Sequence, residues 1–445
     1  MLSNLRKIIP TDILFIEFVI FIIMPHFISH KIFTIAIGGL LVPYILFLSY
    51  KNNYSKIVII FLVLLFGIPS QGTKSTGAMT YIVPTSLVLM TMIDFVQRKK
   101  YINAIFSINR LEVLILFCAI IVNLIKSGNE IIFFNTFIIK VVTIRLLFSK
   151  HNINPDFIFN QIKILFFIQI LIIIIERFYG YRAYPSVFDD SISLESLRCS
   201  GYTGHPLVLS SFFIFYSALL LIQSLKKNKF YYIDTICLII SCILLASRTP
   251  ILIISFVCVI NFLIFMRKKF FHAILICTCT CVALSFLLNK STLGEAFEDT
   301  IERISNAKAD QRMGAFNITK QIADNNLFGI GLSSTDKFKS ELYKGYIIPN
   351  ANFDRKFTIT DNSFLTIICS FGYLGLTLFF LYFSPIIRIT RSKKSNILIS
   401  SSILCIIFIL INFSFETIFY LQITFIYFLT INIISKNYDN MYKYK

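Results

Sequence analysis

Apolar runs of about 20 residues recur along the whole chain, and no other feature of the sequence limits its possible folds as strongly. A helix that crosses a bilayer needs about 20 predominantly apolar residues. Runs such as Ile164 to Ile175 have no polar face to offer to water. Because 56% of the 445 residues are hydrophobic and 15% are charged, we predict an all-α polytopic membrane protein, with residues 1–445 forming one integral membrane domain.

The runs predict about 14 transmembrane helices, within a range of about 11 to 14. They lie near residues 13–29, 32–50, 57–69, 78–96, 111–125, 130–148, 157–176, 206–224, 231–247, 250–266, 271–289, 361–387, 396–413 and 417–435. The third run is short for a bilayer and ends at Pro69. The first run has no small-residue cleavage pattern, so it is predicted to be a retained helix.

The net charge of +19 is divided among short basic clusters between the spans. This distribution fits the positive-inside rule and does not fit a nucleic-acid-binding face, so no nucleic-acid partner is expected. Lys and Arg concentrate in alternate loops, which predicts a multi-pass protein with both termini in the cytoplasm. The ten cysteines include no C-x-x-C pair, so neither a disulfide framework nor a metal site is predicted.

Residues 290–360 form the one long segment too polar for a membrane, and we predict that they form a large external loop between late helices. With both termini inside, this loop shares the outer face with the segment from Arg177 to His205 and with the turn Ser247-Arg248-Thr249. The polar residues that can carry chemistry are therefore expected on the outer face.

Two arginine motifs on this face suggest anion binding. Arg198 lies in a glycine-containing loop that ends in His205 and Pro206, and Pro206 suits the first turn of a helix. A helix N-terminus near an arginine is a natural anion site, although an interfacial loop that meets lipid headgroups is the alternative. Arg248 lies between two apolar runs, where an unpaired charge is costly, so a functional role is favoured.

Two further motifs lie in the external loop and at its end. Arg303 and Arg312 precede the sequence F-G-I-G-L, which contains Gly329 and Gly331, and guanidinium groups bind phosphate in a bidentate manner. A solvated helix face is the alternative for these arginines. Asp361 opens the next apolar run, where it is either a helix N-cap or a catalytic carboxylate.

In their order, the four motifs resemble the O-antigen ligase and O-antigen polymerase superfamily of bacterial envelope glycosyltransferases. The matching residues are Arg198 with G-x-x-G-H-P, the S-R-T turn at Arg248, Arg312 followed by G-I-G, and Asp361-Asn362 with Gly372 and Gly375. The resemblance covers roughly residues 198–378.

This resemblance implies a metal-independent glycosyltransferase of the bacterial plasma (inner) membrane that needs no cofactor. Its donor would be a glycan linked to undecaprenyl pyrophosphate. Arg198, Arg248 and Arg312 would bind the pyrophosphate, and Arg303 is a further candidate. A base would deprotonate the acceptor hydroxyl, which would attack the anomeric carbon with inversion.

The identity of the general base distinguishes the ligases of the superfamily from the polymerases. Ligases carry a His where this chain has Asp361, which favours polymerisation of repeat units over transfer to lipid A core. Asp361 is the predicted base and His205 is the alternative. O-antigen and capsule are both compatible products, with a chain-length regulator and a flippase as partners. A lipid-linked oligosaccharide flippase and a scaffold subunit remain the competing functions, although the sequence shows no internal repeat typical of a transporter.

Overall fold

The computed structural model describes residues 30–66, 79–101, 103–126, 128–179, 199–203, 206–245, 248–266, 319–320, 322–332, 362–391, 395–414 and 420–439. Within these ranges every regular element is a helix. Six of the described helices are long and apolar enough to cross a membrane, and shorter apolar helices accompany them. The prediction of an all-α polytopic membrane protein is therefore confirmed.

The described helices are numbered in chain order. They are α1 His30–Tyr50, α2 Tyr54–Phe66, α3 Met79–Val96, α4 Arg110–Ile125, α5 Glu130–Lys150, α6 Pro155–Tyr179, α7 Pro206–Lys227, α8 Tyr232–Leu245, α9 Arg248–Met266, α10 Ser363–Phe371, α11 Tyr373–Thr390, α12 Ser395–Ser414 and α13 Leu421–Asp439. Each predicted span within the described residues coincides with helix, whereas the predicted spans 13–29 and 271–289 lie outside them. The polar segment 290–360 is described only at 319–320 and 322–332.

Two predicted spans depart from regular α-helix. The span predicted at 361–387 is divided at Gly372 into the nine-residue helix α10 and helix α11, whose first turns, Tyr373–Phe379, are 3₁₀. Helix α5 contains a π-helical segment over Phe134–Val142. Hydropathy depends on composition and does not register backbone angles, so it predicted both as uninterrupted spans.

Contacts divide the chain into two compact units. Met1–Arg98 and Asn152–Phe212 form the first unit, and Lys99–His151 and Phe213–Lys445 form the second. In the first unit, α2 packs against α1, α3 and α6. Helix α2 has 13 residues, a length of about 20 Å, which confirms the prediction of a short helix.

A buried ion cluster joins three helices of the second unit. Glu112 of α4 accepts hydrogen bonds from Arg145 of α5 at 2.6 Å and from Arg388 of α11 at 3.2 Å. The Ser384 hydroxyl donates to the same carboxylate, and the Asn109 side chain forms a capping box with Glu112. The Arg145 side chain is buried, and it pairs with a carboxylate 33 residues earlier in the chain.

Candidate functional site

The F-G-I-G-L turn is attached to the end of helix α10 in the second unit. The N–H groups of Ile330 and Gly331 donate to the carbonyl oxygens of Cys369 and Ser370, each at 2.9 Å. Carbonyls in the last turn of a helix have no partner within the helix. The turn supplies these partners and thereby caps the C-terminus of α10.

Glycines make this contact possible on both sides. Gly329 and Gly372 have φ angles of +69° and +66°, in the region that L side chains rarely adopt. A Cβ atom on Gly329 would lie 2.4 Å from the carbonyl carbon of Ser370, and one on Gly372 would lie 2.0 Å from the oxygen of Leu327. The G-I-G and G-x-x-G motifs, separate in the sequence, therefore pack against each other.

The other side of the turn is held by Asn123, near the end of helix α4. Its Oδ1 accepts the Leu332 N–H at 2.8 Å, and its main-chain oxygen accepts the Gly128 N–H at 2.8 Å. The Asn129 N–H donates to the Leu332 oxygen at 2.6 Å. Asn123 is fully buried. Asn123 was not among the predicted site residues, although a lone amide in an apolar run is a signal, since buried polar groups need hydrogen-bond partners.

The N-terminus of helix α10 is capped by Asn362. Its side chain accepts the N–H groups of Phe364 at 2.9 Å and Leu365 at 3.2 Å. Capping was one of the two roles predicted for the preceding residue, Asp361, which lies outside the described residues. Because Asn362 is the N-cap, helix capping does not explain why position 361 carries a carboxylate.

Arg248 is the first residue of helix α9, and only two residues separate it from the end of α8 at Leu245. The predicted turn Ser247-Arg248-Thr249 therefore includes two residues of helix α9, while Ser247 lies outside the described residues. Helices α8 and α9 pack against each other. The backbone of Arg248 is described, but its side chain is outside the described part of the structure.

In the first unit, the segment after Arg198 forms a turn anchored by Glu176 of helix α6. The N–H groups of Ser200 and Gly201 both donate to Glu176 Oε2 at 2.9 Å. Glu176 is buried. A carboxylate within an apolar run signals a specific role, but Glu176 was not among the predicted site residues.

Gly201 also approaches helix α6 closely. Its φ angle is +54°, and an added Cβ atom would lie 2.5 Å from Gln169 Oε1. The Gln169 side chain in turn donates to the Phe66 carbonyl at 2.7 Å. Helix α7 begins at Pro206, as the sequence predicted. The turn 199–203 is thus held against helix α6, directly before helix α7 begins.

The predicted site residues Arg198, His205, Arg303, Arg312 and Asp361 lie outside the described residues, as does the side chain of Arg248. Their predicted roles stay predictions. The structure instead describes the backbone that flanks three of them, namely the turn after Arg198, the helix start at Arg248 and the cap after Asp361.

Residues 235–380 match the model of a protein family described as O-antigen ligase. The match includes the S-R-T turn, Arg312, the G-I-G turn and the Asp361-Asn362 motif, and it begins after the Arg198 motif. A search of curated proteins gives no match. The family match confirms the resemblance to the O-antigen ligase and polymerase superfamily for this part of the chain.

Proposed function

We propose, from the match of residues 235–380 to the O-antigen ligase family, that this membrane protein polymerises lipid-linked repeat units into a surface polysaccharide. The donor in this proposal is an oligosaccharide on undecaprenyl pyrophosphate, and the reaction is a glycosyl transfer at the outer face of the bacterial plasma membrane. The product is an O-antigen or a capsule. The family match carries the proposal of glycosyl transfer, and Asp361 carries the choice of polymerisation.

The proposed role of Arg198, Arg248, Arg303 and Arg312 is to bind the donor pyrophosphate. As the glycosidic bond breaks, negative charge develops on the leaving pyrophosphate, and cations already in place there lower the barrier. The position of Arg248 at the start of α9 supports this role, because free N–H groups and the helix dipole favour anions at that end. The reaction needs no metal in this proposal.

The proposed general base is Asp361, with His205 as the second candidate. The base would accept a proton from the acceptor hydroxyl while that oxygen forms a bond to the anomeric carbon. The pyrophosphate leaves with the electrons of the broken bond. The capping of α10 by Asn362 supports Asp361, because the carboxylate is not needed as the N-cap.

Ligation of the glycan to lipid A core is the second candidate, and the family description itself favours it. The choice between the two rests on Asp361, since ligases of the superfamily carry a His at the corresponding position. A flippase is the alternative from another functional class. In the polymerase proposal, a flippase supplies the donor and a chain-length regulator acts as a partner. The proposed topology has both termini of this chain in the cytoplasm.

The length distribution of the surface polysaccharide in the native strain tests the proposal. Arg248→Ala should remove the long-chain ladder while single repeat units still reach the surface. Arg248→Lys should also impair polymerisation, because an ammonium group cannot form the bidentate guanidinium contact. Arg391→Ala, at an exposed arginine after α11, is the matched control and should leave the ladder intact.

The membrane level of each variant must equal that of the wild type for this comparison. Loss of single units as well as of long chains would favour ligation or flipping. A normal ladder in Arg248→Ala would contradict the proposed role of this arginine.

A further inference from the structure

A lateral groove of about 470 Å³ runs between helices α4 and α11 in the second unit. Its walls are almost entirely apolar and include Ala119, Ile121, Leu374 and Leu378. Pockets of 300–1,000 Å³ with apolar walls are typical of small-molecule sites. The groove is therefore large enough to hold part of a lipid.

One side of the groove is open. Leu114, Ile121 and Leu374 line it and expose 56%, 39% and 55% of their surfaces. Because α4 and α11 belong to segments that are long and apolar enough to cross a membrane, we expect the open side to face lipid chains. The α4 wall extends from Leu114 to Lys126, about 18 Å along the helix, which exceeds half of a hydrocarbon core of about 30 Å. An elongated apolar chain fits this shape.

The two ends of the groove differ in charge. Lys126, which is half-buried, lies at one end of the α4 wall beside the Asn123–Leu332 contact. At the opposite end of α4, the Glu112 carboxylate is occupied by two arginines. A lysine ammonium binds phosphate as a point charge. The charge pattern therefore favours an amphiphile whose anionic head lies near Lys126.

The groove is continuous with the motifs of the family match. Phe328 belongs to the F-G-I-G-L turn, Phe371 ends helix α10, and Gly375 closes the G-x-x-G motif, and all three line the groove. Each lies within residues 235–380. A chain in this groove would thus lie against the segment to which the proposed function assigns donor binding.

We infer that the groove between α4 and α11 binds the polyisoprenoid chain of the lipid-linked donor, with the phosphate end toward Lys126. This inference rests on the proposed function for the identity of the lipid. It assigns the apolar part of the substrate to a defined wall of the protein, whereas the proposed site residues concern only the pyrophosphate and the sugars.

The absence of tryptophan from the sequence provides a direct assay. Ile121→Trp places one indole in the groove, and Leu124→Trp places one a single turn away on the same helix. Leu124 is 56% exposed and does not line the groove. The full-length variants are placed in vesicles of brominated phosphatidylcholine, whose chains quench indole fluorescence on contact, and undecaprenyl phosphate is added as the probe.

The probe should relieve quenching in Ile121→Trp in a saturable manner, by roughly half or more, because a bound ligand displaces most of the lipid contacts in a pocket. Leu124→Trp should stay quenched. Equal relief by phosphatidylglycerol would identify an ordinary phospholipid groove and would overturn the inference. Parallel relief in both variants, or no relief in either, would also overturn it.

Leu374→Trp, on the α11 wall, replaces Ile121→Trp if that variant does not fold. Thr377→Phe narrows the groove and should abolish the probe effect, whereas Leu376→Phe, next to it and outside the lining, should not. If the fluorescence of the indole in the groove does not change with the probe while the protein still polymerises repeat units, the inference is refuted and the proposed function is left intact. Probe binding by a protein without transferase activity would refute the proposed function alone.

Discussion

Gly372→Ala should destabilise the protein more than any other glycine-to-alanine change with a described environment. Gly372 has a φ of +66° and a ψ of −167°, a combination adopted almost only by glycine. The added Cβ atom would lie 2.0 Å from the Leu327 oxygen and 2.8 Å from the Leu327 carbon. These are backbone atoms, so no side-chain rotation relieves the clash.

The expected cost combines two contributions. Backbone strain in such a region costs about 1–3 kcal/mol, and overpacking costs about 1–3 kcal/mol. The free energy of unfolding should therefore fall by roughly 2–6 kcal/mol, which lowers the thermal midpoint of a chain of 445 residues by roughly 2–6 °C. The strain arises where the F-G-I-G-L turn caps helix α10, so the site region should loosen first.

A thiol-reactive fluorescent dye measures this effect on the purified protein. Cys369, three residues before Gly372, is fully buried and should react only when α10 opens. Gly39→Ala is the matched control, because a Cβ atom at Gly39 meets nothing within 4 Å. The control should keep or raise the midpoint, since alanine favours helix by about 0.5–1 kcal/mol. Equal midpoints for Gly372→Ala and the wild type would refute the packing described for this turn.

Two further predictions concern the helix framework and the topology. Glu112→Gln should lower the free energy of unfolding by about 3–5 kcal/mol, because it leaves two arginines without their carboxylate. Glu130→Gln, at an exposed position, is the control. A similar thermal midpoint for the two variants would contradict the role of the ion cluster. A cysteine introduced at Asn350 should react with an impermeant thiol reagent from outside, whereas one at Asn228 should not, and the reverse pattern would refute the proposed orientation of the polar loop.

The helices were predictable from the sequence because span-length apolar runs have few alternatives to a membrane helix. The short helix Tyr54–Phe66 was predicted from a short apolar run, and the helix start at Pro206 from the preference of proline for the first turn of a helix. The break at Gly372 was not, since it depends on a backbone angle and on the approach of Leu327. The pairing of Glu112 with Arg145 and Arg388 joins positions far apart in the sequence, so no local pattern reveals it.

The motifs of the candidate site were recognisable in the sequence, but the supports of the site were not. The G-I-G and G-x-x-G motifs were treated as separate features, whereas their glycines allow two backbone segments to touch. Glu176 and Asn123 hold the turns beside these motifs through hydrogen bonds to main-chain N–H groups. Such contacts depend on the tertiary arrangement. In the sequence, their only sign is a lone polar residue within an apolar run.

Incubation of the purified protein in vesicles with the lipid-linked repeat unit tests the central claim most directly. The polymerase proposal predicts a ladder of longer lipid-linked glycans, with one undecaprenyl pyrophosphate released for each bond formed, and no ladder with Arg248→Ala. A wild-type protein that leaves the repeat units unextended but transfers them to added lipid A core would contradict polymerisation and identify a ligase.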